Sequence, residues 1–151
     1  MQESLDKQHS DLSSQHIVKR WIESFNRHNV TTIVSLYTED AELFDSGMKY
    51  PRRGRAEIER WFTKRFRDMP TIAYTPSAYL FTGNQAAVTW TVSGRSPRLL
   101  GQSWLSRPFR MEGVSVFTLH DGRIQKQHGY YDHFSALEQI LPFLKVLPVR
   151  L

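Results

Sequence analysis

The hydrophobic pattern of the chain changes once, near Pro70, from the spacing of helices to that of strands. Before Pro70, apolar residues recur every three or four positions, which is the spacing of a buried helix face. After it, apolar and polar residues alternate over long segments, which is typical of half-buried strands. This order predicts an α+β domain with helices packed on one face of a curved antiparallel sheet. Such a sheet leaves a cavity where the helices do not fill it, a common site for a small molecule.

The same pattern gives bounds for the individual elements. Predicted helices cover residues 12–28, 31–37, 55–67 and 133–147, and predicted strands cover 40–44, 72–81, 85–93, 107–119 and 123–131. The pair Asp121-Gly122 predicts a tight hairpin turn between the last two strands. Asp11 or Ser13 is the expected cap of the first helix. We expect residues 1–10 to be a disordered tail and residues 11–151 to form a single domain.

Composition excludes several classes of protein. The 151 residues contain no cysteine, which excludes disulfides and cysteine-ligated metals. No run of about eighteen apolar residues is present, so no membrane-spanning helix is expected. The N-terminus is polar and lacks the apolar core of a signal peptide, and together these features predict a cytoplasmic protein.

The formal net charge of +5 arises largely between Lys49 and Arg67. The aromatic residues of this segment fall on the apolar side of the predicted helix, whereas a nucleic-acid site would expose them beside the basic residues. We therefore predict a solvated basic surface and no nucleic-acid partner. The six histidines have no metal-ligand spacing, and no glycine-rich phosphate loop occurs, so neither a metal nor a nucleotide cofactor is expected.

Three stretches of the chain resemble the nuclear-transport-factor-2-like superfamily and its SnoaL-like branch. They are WIESFNRHNVTTIVSLYTEDAELFD, then RGR with the helix that follows it, and GVSVFTLHDGRIQKQHGYYD. The resemblance implies a cone-shaped, cystatin-like α+β barrel with an internal pocket. It also implies a homodimer formed through the sheet and a small, apolar, carbonyl-bearing ligand.

Site residues follow from the same resemblance. In ketosteroid isomerases a general base follows the first strand, and Asp45 falls on that position. Trp21 and Ser115 fall where that branch has its two oxyanion donors. In limonene-epoxide hydrolases the last strand ends in a general acid, and Asp132 falls there. The strand at 85–93 lacks the Arg and second Asp of that branch, which argues against epoxide hydrolysis by its mechanism.

The polyketide-cyclase branch needs the fewest specific residues, and Asp45 or Asp132, with His128 nearby, would supply its acid–base chemistry. The resemblance thus implies a cofactor-independent cyclase or isomerase. The alternative is a non-catalytic binding or interaction domain of the same fold. Further residues expected to line the pocket or donate hydrogen bonds in it are Tyr37, Trp61, Phe117 and Tyr131.

Each candidate also has a plain structural interpretation. Asp45 lies in a DSG turn, and Asp132 suits the N-cap of the last helix. Strict alternation places Gln127, Gly129 and Tyr131 on one face of the last strand and His128, Tyr130 and Asp132 on the other, and His128 is either a pocket acid–base group or a residue of the outer, dimer-forming face. Tyr131 and Asp132 therefore cannot both point inward unless the strand bulges or ends there. The aromatic candidates are pocket walls, core residues, or both.

Overall fold

The structure, a computed structural model, describes residues 1–97, 102 and 105–141. Its helices are α1 (Gln2–Asn26), α2 (Val30–Ser35), α3 (Gly54–Asp68) and α4 (His133–Ile140). Its strands are β1 (Tyr37–Asp45), β2 (Arg52–Arg53), β3 (Ala73–Thr82), β4 (Gln85–Arg95), β5 (Pro108–His120) and β6 (Arg123–Tyr131). The predicted change from helices to strands after residue 70 and the α+β class are confirmed.

The six strands form one curved, unclosed sheet in the order β2-β1-β6-β5-β4-β3. Neighbouring strands are antiparallel except β1 and β6, which are parallel, so the prediction of an entirely antiparallel sheet was wrong at this pair. The reason is the route of the chain. After β1 and β2 it crosses through α3 to the far edge, runs back as the meander β3 to β6, and ends beside β1 in the same direction.

The Asp-Gly hairpin joins β5 and β6 as predicted. Asp121 and Gly122 both have positive φ, at 48° and 69°. Positive φ at both central residues matches the right-handed twist of the flanking strands, and Gly adopts it without steric cost. The turn places His120 opposite Arg123, and a β-bulge between Thr118 and Leu119 then shifts the register so that Ser115 faces Gly129 and Phe117 faces Gln127.

Helix α1 begins ten residues before its predicted start at Leu12. Residues 2–10, predicted to be a disordered tail, form its first turns in the structure, and they consist largely of good helix formers. Leu5 and Leu12 remain exposed on these turns. Asp11 does not cap the helix but accepts a hydrogen bond from the backbone N–H of Gly83 at 2.6 Å, which joins α1 to the β3–β4 turn.

The hydrophobic core lies between the helices and the inner face of the sheet. Helix α1 buries Val18, Trp21, Ile22 and Phe25 there, as the helical spacing predicts, and α3 buries Ile58, Phe62 and Phe66. The inner face of β4 adds alternate residues, Ala86, Val88, Trp90 and Val92. Tyr37 belongs to β1 rather than to the second helix, because α2 ends at Ser35.

The C-terminal part is described as far as residue 141. Helix α4 starts at His133 as predicted, and the remainder of the helix predicted to reach residue 147 lies outside the described residues. The predicted loop over 94–105 lies partly outside them as well, and β4 extends into it as far as Arg95. Among the helices that the structure describes, none has the length and hydropathy needed to cross a membrane.

Candidate functional site

A cavity of about 70 Å³ opens between α1, α3 and the inner face of the sheet. Nearly half of the residues in its wall are aromatic, among them Trp21, Phe25, Trp61, Phe62, Tyr74 and Trp90. Pockets for drug-sized ligands are typically about 300–1,000 Å³, so this cavity suits a small group of atoms. A few polar side chains interrupt the apolar wall, and they determine what chemistry is available there.

Asp45 supplies the one carboxylate that the described wall contains. It is the last residue of β1, beside Gly129 of β6, and its side chain is 15% exposed. One carboxylate oxygen accepts the backbone N–H of Gly47 at 2.9 Å and the hydroxyl of Tyr131 at 3.4 Å. The other lies 3.3 Å from a guanidinium nitrogen of Arg65. Three donors therefore hold the carboxylate at the cavity wall.

Arg65 reaches the cavity from the last turns of α3. Its guanidinium lies over the ring of Trp61, with its central carbon 4.2 Å from the ring centroid. Burial lowers the pKa of Arg65, and the neighbouring Asp45 carboxylate counters that effect by raising it. Because the two opposite charges are in contact, the pair adds no net charge to the cavity.

Tyr131 completes the group around Asp45. Burial, with a smaller contribution from the Asp45 charge, raises the pKa of Tyr131 to about 12, so its hydroxyl stays protonated and donates. The position of Gly47 allows this contact, because a Cβ atom there would lie 2.3 Å from the Tyr131 hydroxyl oxygen. Glycine at this position thus serves the close approach of Tyr131 rather than an unusual backbone angle.

A buried chain of hydrogen bonds joins Trp21, Tyr37 and Gln127. The indole N–H of Trp21 donates to the Tyr37 hydroxyl at 3.0 Å, and that hydroxyl donates to the side-chain carbonyl of Gln127. Burial raises the pKa of Tyr37, which keeps it protonated. Trp21 and Gln127 line the cavity, whereas Tyr37 lies behind them in the core.

Ser115 and Tyr74 face the cavity from the sheet. The indole N–H of Trp90 donates to the Ser115 hydroxyl at 2.9 Å. Tyr74 is 4% exposed, and its hydroxyl makes no hydrogen bond to any described residue. Burial raises the pKa of Tyr74, and the neighbouring Ser115 hydroxyl offsets part of that rise.

The cavity brings together Asp45, Trp21, Trp61, Ser115 and Tyr131 from the predicted set. Tyr37 and Phe117 are buried in the core, where the Phe117 ring centroid lies 5.6 Å from that of Trp21. Of the alternatives left open for these two residues, the structure favours core packing.

His128 and Asp132 lie outside the cavity. The predicted alternation is confirmed on β6, because Gln127, Gly129 and Tyr131 line the cavity. His128 is on the outer face, where its ring nitrogen lies 3.0 Å from the Glu42 carboxylate. Asp132 follows the end of the strand and caps α4 by accepting the backbone N–H of Ser135 at 3.1 Å. Neither side chain is therefore placed to act as a cavity acid or base.

Sequence reasoning missed Arg65, Tyr74 and Gln127. Arg65 stood within the predicted solvated basic surface, yet it follows Trp61 by four positions and Phe62 by three, so it shares their helix face. That spacing was the available signal. Alternation placed Gln127 on the same face as Tyr131 but did not show that this face is the inner one, and it gave no sign of a hydrogen-bonding role. No sequence signal distinguishes the hydroxyl of Tyr74 from any other strand tyrosine.

Comparisons with known proteins agree with this architecture. The family model of the SnoaL-like domain matches residues 18–127. No curated protein matches the sequence.

Solved structures share the fold at low sequence identity. A SnoaL-like protein from Shewanella denitrificans, provisionally assigned as a polyketide cyclase, is 15% identical with a TM-score of 0.76, over 85% of this chain and 97% of that one. A ketosteroid isomerase-like protein from Catenulispora acidiphila, in complex with trimethylamine, is 19% identical with a TM-score of 0.70, over 82% and 90%. The epoxide hydrolase/cyclase-like enzyme SalBIII, of pyran ring formation in salinomycin, is 21% identical with a TM-score of 0.70, over 81% and 92%.

Proposed function

Because this chain belongs to the SnoaL-like domain family, we propose that it is a cofactor-independent acid–base enzyme of the cyclase or isomerase type. Its substrate is a small, apolar, carbonyl-bearing molecule held in the aromatic cavity. The observation that carries the proposal is the position of Asp45, the one carboxylate in the described cavity wall.

Asp45 is the proton acceptor and donor of the proposed reaction. Its carboxylate removes a proton from a carbon next to the carbonyl, and the electron pair of the C–H bond forms the carbon–carbon double bond of an enolate. The carbonyl electron pair moves onto oxygen. If the enolate is conjugated with a neighbouring double bond, returning the proton to the far carbon of that double bond completes an isomerisation. Attack of the enolate carbon on a second carbonyl of the folded substrate instead closes a ring, and the alkoxide formed there takes the proton back from Asp45.

The charges of the cavity favour a neutral substrate. Arg65 and Asp45 are in contact, with side chains only 21% and 15% exposed, and they compensate each other. An ionic ligand would add an uncompensated charge to an otherwise aromatic cavity, which is costly. The size of the cavity, about 70 Å³, favours a reacting group of few atoms.

Hydrogen exchange tests this proposal without knowledge of the natural substrate. The wild-type protein and Asp45→Asn are incubated with acetone or cyclopentanone in D2O, and proton NMR follows the loss of signal next to the carbonyl. We expect the wild-type protein to accelerate exchange and Asp45→Asn to lose at least about 100-fold of that acceleration, the usual range for a general base. Equal rates with both proteins would refute Asp45 as the acid–base group.

The alternative is a binding protein without catalysis, and one observation favours it. Both oxygens of Asp45 already accept hydrogen bonds or an ion pair from Gly47, Tyr131 and Arg65. Cyclopentanone that binds to the wild-type protein but undergoes no accelerated exchange would support this alternative.

We also propose that two copies pair through the outer face of the sheet. Val114 and Val116 lie on that face and are only half-buried, and Tyr130, opposite Val114, is 47% exposed. Pairing would cover these apolar surfaces and leave the cavity on the inner face of each copy.

A further inference from the structure

Tyr74 carries a buried hydroxyl that no described residue satisfies. The residue is 4% exposed, and its oxygen is the one buried side-chain polar atom in the described part of the chain that lacks a hydrogen-bond partner. Tyr74 lines the cavity. Burying a hydroxyl without a partner costs about 1–3 kcal/mol, so such a group in a cavity wall needs a partner from inside the cavity, either a bound water or a ligand.

Two indole N–H groups and the other phenolic hydroxyl in the same wall are already engaged within the protein. Trp21 donates to Tyr37, Trp90 donates to Ser115, and Tyr131 donates to Asp45. Trp21 in particular, at one of the two positions expected from the family resemblance to hold an oxyanion donor, has no N–H left for a ligand. Tyr74 is therefore a free donor at a position that the resemblance did not indicate.

Gln127 supplies a second free donor, and its orientation follows from the hydrogen-bond chain. An indole N–H can only donate, so the Tyr37 oxygen accepts from Trp21 and its own proton must go to Gln127. The group of Gln127 that faces Tyr37 is consequently the carbonyl. The NH2 group is the opposite end of the amide, and Tyr37 is the one hydrogen-bond partner that the described residues give this side chain.

The side-chain acceptors of this wall other than the Tyr74 oxygen, in contrast, each receive a donor. Ser115, Tyr37 and the Gln127 carbonyl accept one hydrogen bond each, and the Asp45 carboxylate accepts from three groups. The cavity therefore has an excess of donors over free acceptors. Among small apolar ligands, this excess favours those whose polar atoms only accept.

We propose that Tyr74 is a specificity-determining residue, which donates a hydrogen bond to an acceptor oxygen of the ligand, with the Gln127 amide as a second donor. The ligand class is that of ketones, and simple esters and lactones share its chemistry. This inference rests on the proposed function, because the ligand is the one held beside Asp45. A site that donates to an oxygen rejects an isosteric hydrocarbon, since the buried donor then stays unpaired.

Thermal unfolding of the ligand-free protein tests the first step. Tyr74→Phe and Tyr37→Phe each remove one buried phenolic hydroxyl and keep the ring. We expect Tyr37→Phe to lower the melting temperature, because it breaks two hydrogen bonds. Tyr74→Phe is expected to leave it unchanged or raise it, because the hydroxyl removed has no partner. A loss in Tyr74→Phe equal to that in Tyr37→Phe overturns the inference.

Binding of a matched pair of probes tests the second step. Cyclopentanone and methylenecyclopentane have similar shapes, but the ketone alone has an acceptor oxygen. Trp21, Trp61 and Trp90 line the cavity, so their fluorescence reports binding. We expect Tyr74→Phe to weaken ketone binding by roughly threefold to tenfold, the usual worth of one hydrogen bond, and to leave hydrocarbon binding unchanged.

The outcomes separate this inference from the proposed function. Ketone binding that is equal in the wild-type protein and Tyr74→Phe overturns the inference and leaves the proposed function standing. If the wild-type protein binds neither probe, both are overturned. If Tyr74→Phe loses ketone binding while hydrogen exchange in the wild-type protein is not accelerated, the inference holds and the catalytic proposal fails.

Discussion

A guanidinium nitrogen of Arg65 lies 3.3 Å from a carboxylate oxygen of Asp45. This contact joins α3 to the end of β1 at the wall of an aromatic cavity. A charged carboxylate in such surroundings needs a compensating partner, because desolvation of an unpaired charge is costly. Arg65 therefore makes it possible to keep a carboxylate at this site.

Removing that partner should destabilise the protein. We expect Arg65→Met to lower the free energy of unfolding by about 1–3 kcal/mol, less than for a fully buried pair because both side chains are partly exposed. Urea denaturation measures the change. Lys64→Met is the matched control, because Lys64 pairs with Asp68 at the exposed surface, and we expect at most about 0.5 kcal/mol there. Equal losses in the two variants would contradict the compensating role of Arg65.

The close approach of Gly47 to Tyr131 makes a second prediction. In Gly47→Ala the new methyl group would lie 2.3 Å from the Tyr131 hydroxyl oxygen, so Tyr131 must move away from Asp45. We expect a loss of about 1–3 kcal/mol in the free energy of unfolding. Adding Tyr131→Phe removes the clashing atom and should restore part of that stability. A double-mutant cycle without such coupling would show that the contact is relaxed in solution.

Alkaline pH should unfold the protein through its buried tyrosines. Burial raises the pKa of Tyr131 from its ordinary value of 10.0 to about 12, so between these values the unfolded chain releases a proton that the native state retains. The stabilising contribution of each such tyrosine is therefore fully present below about pH 10. As pH rises further, the free energy of unfolding decreases by about 1.4 kcal/mol per pH unit for each such tyrosine. Burial also raises the pKa of Tyr37 and of Tyr74, which steepens the decrease.

Tyr131→Phe should make that decrease shallower. Denaturant unfolding at several pH values between about 9 and 12 measures this slope. The range spans the ordinary tyrosine pKa and the raised pKa of Tyr131. Tyr50→Phe is the control, because Tyr50 is 63% exposed. A slope that changes equally in both variants would contradict the burial of Tyr131 as the cause.

Pairing through the outer sheet face predicts a change in mass. Val116→Arg places a charge on that face, and we expect it to convert a dimer into a monomer in light scattering after size-exclusion chromatography. Leu12→Arg is the control on α1, where Leu12 is 56% exposed. A monomeric wild-type protein would rule out the dimer.

The sequence predicted the fold well because the spacing of apolar residues shows which face of a helix or strand is buried. The inward residues of α1 and the alternation along β6 both follow from geometry that is local to one element. The parallel pairing of β1 with β6 did not follow, because it depends on where a long crossover returns the chain. The start of α1 at Gln2 was missed because the exposed first turns of this helix lack the apolar face from which a helix is predicted.

The site was predicted only in part. Asp45 was identified through the family resemblance, as the residue at the position of a general base, and the structure places it in the cavity wall. Asp132 looked equivalent, yet its place after the end of β6 turns it to the cap of α4. Arg65 was assigned to the predicted basic surface together with the neighbouring cations. Whether the Tyr74 hydroxyl has a partner depends on the direction in which every neighbouring hydrogen-bond donor points. Properties of this kind arise between elements, and the pattern of a single element does not contain them.

The central claim is that Asp45 is the acid–base group, and it is tested most directly by comparing an aspartate in the cavity wall with one outside it. Asp45 lines the cavity and Asp132 lies outside it, and Asn at either position keeps the size of the side chain and a capping oxygen. Exchange of the protons next to the carbonyl of cyclopentanone in D2O is measured for the wild-type protein and both variants. The account predicts that Asp132→Asn exchanges at the wild-type rate and that Asp45→Asn is at least about 100-fold slower. A loss in Asp132→Asn with none in Asp45→Asn would contradict it.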